Sequence, residues 1–325
     1  MRERLLFISA IILFVVSVPI VYLILFEHGL SVSRTNQEAP IAPTGLKVRL
    51  LPEIEAQAQA APMALSLNQV KGQVEVASGD GKNWSHAEEG MVLQAQDRIR
   101  TGNLSSATLS MPGVFAVRMD SDSEFLVQSL TENLFRFLLA EGMIDASVVP
   151  ATKHLVEVAA VRAVARSQGG QFKMHADKSG MVSVGASKGR VELEAEGKIV
   201  QIDAGYMARV EQGSPPEDPI RIPKQLLLKV RWPKERNLSS GRLLVKGRCQ
   251  PGARVRVAGV VVEVDPRGKF RQVLQLGDGK HRVAIKAEDV GNNVKEIRSH
   301  SFTVDTRADS FQIKTSPEMW RDKKP

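Results

Sequence analysis

The chain has 325 residues, 43% apolar and 25% charged, with one Cys and a formal net charge of +8. This length suits about two domains, and the composition excludes a mostly disordered chain and a polytopic membrane protein. A single Cys excludes a disulfide scaffold and a structural zinc site needing two or more thiolates, and 5% aromatic content argues against an aromatic-lined sugar-cleaving cleft or a base-stacking platform.

The charge is uneven. Residues 1–218 hold 20 Lys/Arg against 25 Asp/Glu, and residues 219–325 hold 24 against 11. The basic character therefore belongs to the last third, where it suggests an anionic partner or a solvated cationic surface.

Leu5 to Phe26 is an uncharged apolar run of 22 residues. As a helix it measures about 33 Å, enough for a hydrocarbon core of about 30 Å. Signal-peptide apolar regions are shorter, so this run reads as a single uncleaved anchor, although Ser31-Val32-Ser33 offers a small-x-small cleavage motif. Arg2 and Arg4 precede the run and the next basic residue is Arg34. The positive-inside rule then leaves residues 1–4 as a cytoplasmic tip and exports the rest. The expected location is a bacterial inner membrane, with the bulk of the chain periplasmic. Residues 27–64 carry Pro40, Pro43, Pro52 and Pro62 and read as a disordered tether. Its reach is on the order of 35 Å.

From 65 to 212 the period is two. Val74 and Val76, Ala107 and Leu109, Phe115, Val117 and Met119, Val182 and Val184, and Val191 and Leu193 alternate with polar residues. Such alternation between turn clusters predicts short strands in an antiparallel sandwich, roll or barrel. Residues 130–143 and 155–166 admit a helix or a strand, with the valines of the second favouring strand.

Gly90-Met-Val-Leu, Asp97-Arg-Ile-Arg-Thr-Gly102 and Ser105-Ser-Ala-Thr-Leu109 together resemble the core motif of the FecR domain family. Glu141-Gly142 sits where the family has a strand-ending glycine, and Gly170-Gln-Phe172, Val182-Ser-Val-Gly185 and Ile202-Asp-Ala-Gly205 resemble later elements. The family's Arg-Gly-Thr is replaced by Gln168-Gly169-Gly170, and the proline expected shortly before it is absent. The resemblance implies a β-roll or sandwich and, in regulators of this kind, a relay from outer-membrane receptors to cytoplasmic sigma factors. That relay uses a cytoplasmic domain, which residues 1–4 cannot supply. Beside the resemblance, Asp97, Thr101, Gly102, Gly170 and Gly205 read as turn and close-approach residues.

Residues 213–225, with Pro215, Pro216 and Pro219, read as a second linker. From 226 to 305 strands recur about every ten residues, with Leu243, Val245 and Cys249 on one parity and Val283, Ile285 and Ala287 on another strand's inner parity. The spacing resembles bacterial Ig-like modules, implying an Ig-like β-sandwich, followed by a tail at 306–325. Cys249 falls among inward residues and reads as a buried, inert thiol. The opposite parity is basic: Arg242, Lys246, Arg248, Arg254, Arg256, Arg271, Arg282 and Lys286. These residues are expected to point to solvent as one anion- or partner-binding face, with Arg221, Lys224, Lys229, Arg231, Lys234 and Arg236 adding charge nearby.

The six His are scattered and give no metal site, and no cofactor motif appears. His175 and Asp177 share a face only as a strand pair, and the oxygens of Asp289 to Asn293 read as a turn rather than a calcium loop. No nucleophile elbow, Ser-x-x-Lys, zincin or P-loop pattern occurs. The reading is an all-β, non-enzymatic, membrane-anchored envelope binding or scaffold protein, whose partners are the membrane and an envelope protein or anionic polymer, not nucleic acid. The alternative is a component of trans-envelope signalling that acts through a separate membrane partner.

Overall fold

Apolar residues at every second position bury one face of each strand, and this pattern dominates the computed structural model, which describes residues 65–306 except 80, 151 and 152. The expected span at 5–26, the tether at 27–64 and the tail beyond residue 306 lie outside the described residues. Among the described residues every regular element is a strand, and no helix is long and apolar enough to cross a membrane. The described residues fall within one contact unit, Gln59–Pro325.

The first half is built around two long strands, Leu134–Val148 and Val182–Ala195. Each belongs to two sheets in turn. The first part of Leu134–Val148 pairs with Ser123–Leu130 and, in parallel, with Leu155–Ala160, and its last part pairs with Phe115–Met119 and Gly170–Ala176. Val182–Ala195 pairs first with Gly170–Ala176 and Tyr206–Val210, then with Ala163–Ser167 and Lys198–Asp203. Glycine sits at both transfers. Gly142 has φ 105° and Gly189 has φ 68°, and a Cβ would strike Ser123 at the first and the Gly169 carbonyl at the second. Gly142 is thus a bend inside a continuous strand rather than a strand end. Residues 130–143 and 155–166 resolve to strands joined by turns at 131–133 and 161–162, because Phe135, Phe137, Leu139, Val156 and Val158 alternate into one core. Phe137 packs against Phe115 and Phe125, with ring centroids 5.4 and 5.1 Å apart.

The second half places Leu228–Arg231, Arg242–Cys249 and Lys269–Gln275 in one sheet and Val260–Val262, Arg254–Val257, Ala284–Glu288 and Val294–Arg298 in another. Both contribute to a second apolar core: Leu228, Leu243, Val245 and Phe270 from one, Val255, Val257, Ile285 and Ala287 from the other. Between the halves, the proline-rich stretch is held at several points. Ile220–Arg221 pairs with Tyr206–Val210, Arg209 makes a forked pair with Glu217 at 2.9 and 2.6 Å, and Asn293 Nδ2 donates to the Pro223 carbonyl at 2.9 Å.

Candidate functional site

The two halves meet in a seam of buried charge. Arg254, on Arg254–Val257, is 5% exposed. Its Nη2 lies 3.2 Å from Glu288 Oε2 and 3.5 Å from Asp120 Oδ2, and its Nη1 donates to the Ser121 carbonyl at 3.0 Å. From the other side Lys173 Nζ, on Gly170–Ala176, donates to Glu288 Oε1 at 3.1 Å. Arg256 pairs with Asp122 and donates through Nη2 to the Ser121 carbonyl at 3.1 Å and to Ser121 Oγ at 2.7 Å. One loop, residues 120–122, therefore takes two arginines of the second half. Burial works against the Glu288 carboxylate, but Arg254 and Lys173 hold its pKa below the ordinary value. Burial raises that of Asp145, whose strand neighbours are Lys173 and Arg118.

His175, 4% exposed, sits in the same seam with Nδ1 3.1 Å from the Gly252 carbonyl. A carbonyl only accepts, so Nδ1 carries the proton. Burial, followed by the Arg254 charge, lowers the imidazole pKa to about 4. Backbone packing is equally close: a Cβ on Gly252 would strike Ser183 Oγ, and one on Gly185 would come within 2.7 Å of the Val290 carbonyl. A cavity of about 320 Å³ opens beside the seam, lined by residues of both halves including Asp122, Glu141, His175 and Val260.

The predicted turn residues support this seam. Thr101 is 5% exposed, its Oγ1 donates to the Asp120 carbonyl at 2.6 Å and accepts from Ser123 N at 3.1 Å, and the Gly102 carbonyl accepts from Asp122 N at 3.2 Å. These two residues thus fix the loop that the arginines grip. Asp97 Oδ2 caps its own turn by accepting from Gln94 N at 2.8 Å. Gly170, at φ 130°, stands opposite Gly189 at a sheet transfer, and Gly205, at φ 85°, turns between Lys198–Asp203 and Tyr206–Val210.

The predicted basic face divides. Arg254 and Arg256 do not join a solvent surface, because the first half covers them. Arg242, Lys246, Arg248, Arg271, Arg282 and Lys286 are exposed. Lys286 lies on Ala284–Glu288 of the other sheet and Arg282 in the connection just before that strand, whereas Lys246, Arg248 and Arg271 combine with Lys229, Arg231 and Lys269. Strand register aligns Arg231, Lys246 and Arg271 in one cross-strand row and Lys229, Arg248 and Lys269 in the next. The rows line an open groove of about 860 Å³. Neighbouring strands are about 4.8 Å apart, so like charges directly opposite raise the energy of the sheet.

Lys173, Glu288 and Asp120 escaped the sequence reading. Their one signal was Lys173 between apolar Phe172 and Met174 in a strand buried on both faces. Among the described residues no group of three His, Cys, Asp or Glu could hold a metal. Asp289 Oδ1 accepts from Gly291 N at 2.8 Å and Asn293 N at 2.9 Å, an Asx turn, and Asp177 Oδ1 likewise accepts from Ser179 N and Met181 N. Cys249 is fully buried, and burial pushes its thiol pKa up to about 12.

No curated protein matches the chain. Among solved structures it is similar to a candidate anti-sigma factor from Parabacteroides distasonis, at 13% identity and TM-score 0.35, covering 38% of this chain and 59% of that one. A second structure of such a factor from the same organism gives 13% and 0.36, covering 43% and 68%. Fibronectin(III)-like modules of CbhA from Clostridium thermocellum give 11% and 0.20, covering 55% and 92%. The family model described as FecR protein matches residues 97–192, which include Asp97, Thr101, Gly102 and Gly170 but not the flanking Gly90–Leu93 or Ile202–Gly205 elements. Residues 97–192 of this chain are a FecR protein domain, and among the described residues strands extend on both sides of it, from Leu65 to Val304.

Proposed function

We propose that the chain is a non-catalytic, FecR-type component of trans-envelope signalling, anchored in the inner membrane with its β-domains in the periplasm and acting through a separate membrane partner. The FecR match at 97–192 carries this reading. It is supported by the way Thr101 and Gly102 hold the 120–122 loop against Arg254 and Arg256. A ligand that shifts one half then changes buried charge pairs in the other, and packed interfaces of this kind switch between discrete arrangements. The second half, an Ig-like module in this proposal, supplies a binding surface. The test is deletion of the gene followed by transcript profiling, with complementation by the native chain and by Arg256→Ala. A changed extracytoplasmic stress response, restored by the native chain alone, is expected. An unchanged transcript set overturns the reading.

A second reading, an envelope binding or scaffold protein without a signalling role, is favoured by the cationic rows of the groove. Recovery of the same envelope component with the native chain and not with a 1–64 fragment, alongside an unchanged transcript set, is its expected outcome.

A further inference from the structure

We propose that the groove formed by Lys229, Arg231, Lys246, Arg248, Lys269 and Arg271 binds one strand of an anionic polysaccharide. This goes beyond the signalling reading and does not depend on it. Three observations carry it.

The first is the array. Three adjacent antiparallel strands each present two cations on the same face, and register puts them in two rows of three. All six are exposed, and none makes an ion pair with another described residue. Elsewhere in the chain the same residue types are neutralised across strands, as Arg100 is by Glu75 and Arg190 by Asp203. Opposed like charges work against the sheet, so a polyanion that occupies the rows relieves the repulsion. Guanidinium forks donate paired hydrogen bonds to carboxylate or phosphate oxygens, and the interspersed ammonium groups add point charges.

The second is shape. The rows line a groove of about 860 Å³. The groove is open and three strands wide, and its two rows of three cations run across the strands, so a single extended polyanion laid along a row meets a cation on every strand. Glu263 and Asp265 also line the groove. Asp265 directs Oδ1 to the Arg267 and Lys269 backbone N–H groups at 3.0 and 2.7 Å, so this carboxylate serves the turn.

The third is what the lining lacks. Its one aromatic ring, Phe270, is 4% exposed and faces the core. Recognition there is ionic, without the stacking surface on which single-stranded nucleic acids rely. Charge borne on every few units of a sugar chain suits such a site.

The experiment uses the full chain in nonionic detergent and measures binding at low and at physiological salt. The probes are polygalacturonate for a carboxylate source, a phosphorylated mannan for a phosphate source, and dextran as the neutral control. At least one charged glycan is expected to bind, to weaken with salt as a screened ionic contact does, and to lose tenfold or more in affinity in the Lys246→Glu/Arg271→Glu variant. Arg282→Glu, a charge reversal outside the groove, should stay within threefold of native. The Lys246→Gln/Arg271→Gln variant repeats the test should the double reversal fail to fold, as read by its melting curve. Failure of both charged glycans to bind overturns the proposal, as does equal binding by the groove and control variants. Tighter binding to mixed micelles of phosphatidylglycerol and the same detergent, to duplex DNA or to polyglutamate than to either glycan also overturns it and names the other class of partner. None of these outcomes touches the transcript test, so the two ideas fail separately.

Discussion

Lys246 stands directly opposite Arg271 on the neighbouring strand, and Arg231 flanks it on the other side. A sheet ordinarily places opposite charges or a neutral pair there. Opposed charges contribute about 0.2–1 kcal/mol per pair, with a sign set by the partners. Lys246→Glu turns two repulsive pairs into attractive ones. It should therefore stabilise the fold by about 1 kcal/mol at low salt while weakening any polyanion contact. A urea midpoint measured at low and high salt checks this. A lowered midpoint at low salt would show that the row is not repulsive. Gain of stability with loss of binding is the pattern expected where function is kept at a cost to the fold.

Thr101 ties the FecR motif to the seam. Its hydroxyl donates to the Asp120 carbonyl in a part-buried setting and accepts from the Ser123 N–H in a buried one. Thr101→Val keeps the shape and leaves these groups without a partner, at about 1–3 kcal/mol. Thr101→Ser keeps the hydroxyl and should lose much less. Hydrogen exchange should rise at residues 120–123 in the valine variant, since these amides border the loop gripped by Arg254 and Arg256. Unchanged exchange there would separate Thr101 from the seam.

Acid should loosen the molecule through His175. Its folded pKa is lowered to about 4 from an ordinary 6.5. The unfolded imidazole therefore takes up a proton that the buried one refuses. Stability is full above about pH 6.5 and falls as the pH drops toward 4. Glu288, whose pKa is also lowered, adds a loss in the same direction below its ordinary 4.5, as the carboxylate between Arg254 and Lys173 is protonated. Melting temperature should fall by about 5 °C or more between pH 7 and 4.5. His175→Gln, neutral throughout and still able to donate to the Gly252 carbonyl, should flatten the curve between 6.5 and 4.5. An equally steep profile in that variant would place the acid response elsewhere.

Cys249 should be inert in the folded protein. Burial pushes its thiol pKa up to about 12, and only the thiolate attacks disulfide reagents. At pH 8 in native buffer, labelling by an aromatic disulfide should proceed no faster than unfolding, and it should become stoichiometric within minutes in denaturant. Rapid stoichiometric labelling under native conditions would show that the second apolar core opens at this strand.

Much of the fold was legible because burial on a pleated sheet imposes a period of two on the sequence. Val117 and Met119, Val184, Val245 and Ile285 all point inward as their parity predicts. The run at 134–148 resisted, since its leucines and phenylalanines suit either regular structure and its bend at Gly142 becomes visible only when two sheets claim the same strand. The site was less legible. Parity correctly turned Arg254 and Arg256 away from their own core, yet it carries no information about whether that outward face meets water or another domain.

The amino-acid order alone determined which residues lie inward on each strand, where turns fall, that elements between Gly90 and Gly205 resemble the FecR domain, and that cations gather after residue 218. These are local properties, set by side-chain period and backbone freedom over a few residues. Tertiary structure alone decided that Lys229 and Arg231 stand beside Arg248 and Lys246, and that Lys173 and Arg254 share Glu288 across 115 and 34 residues of chain. Strand register and domain docking are long-range choices, fixed by the free energy of the whole packed assembly, and no short stretch of sequence encodes them.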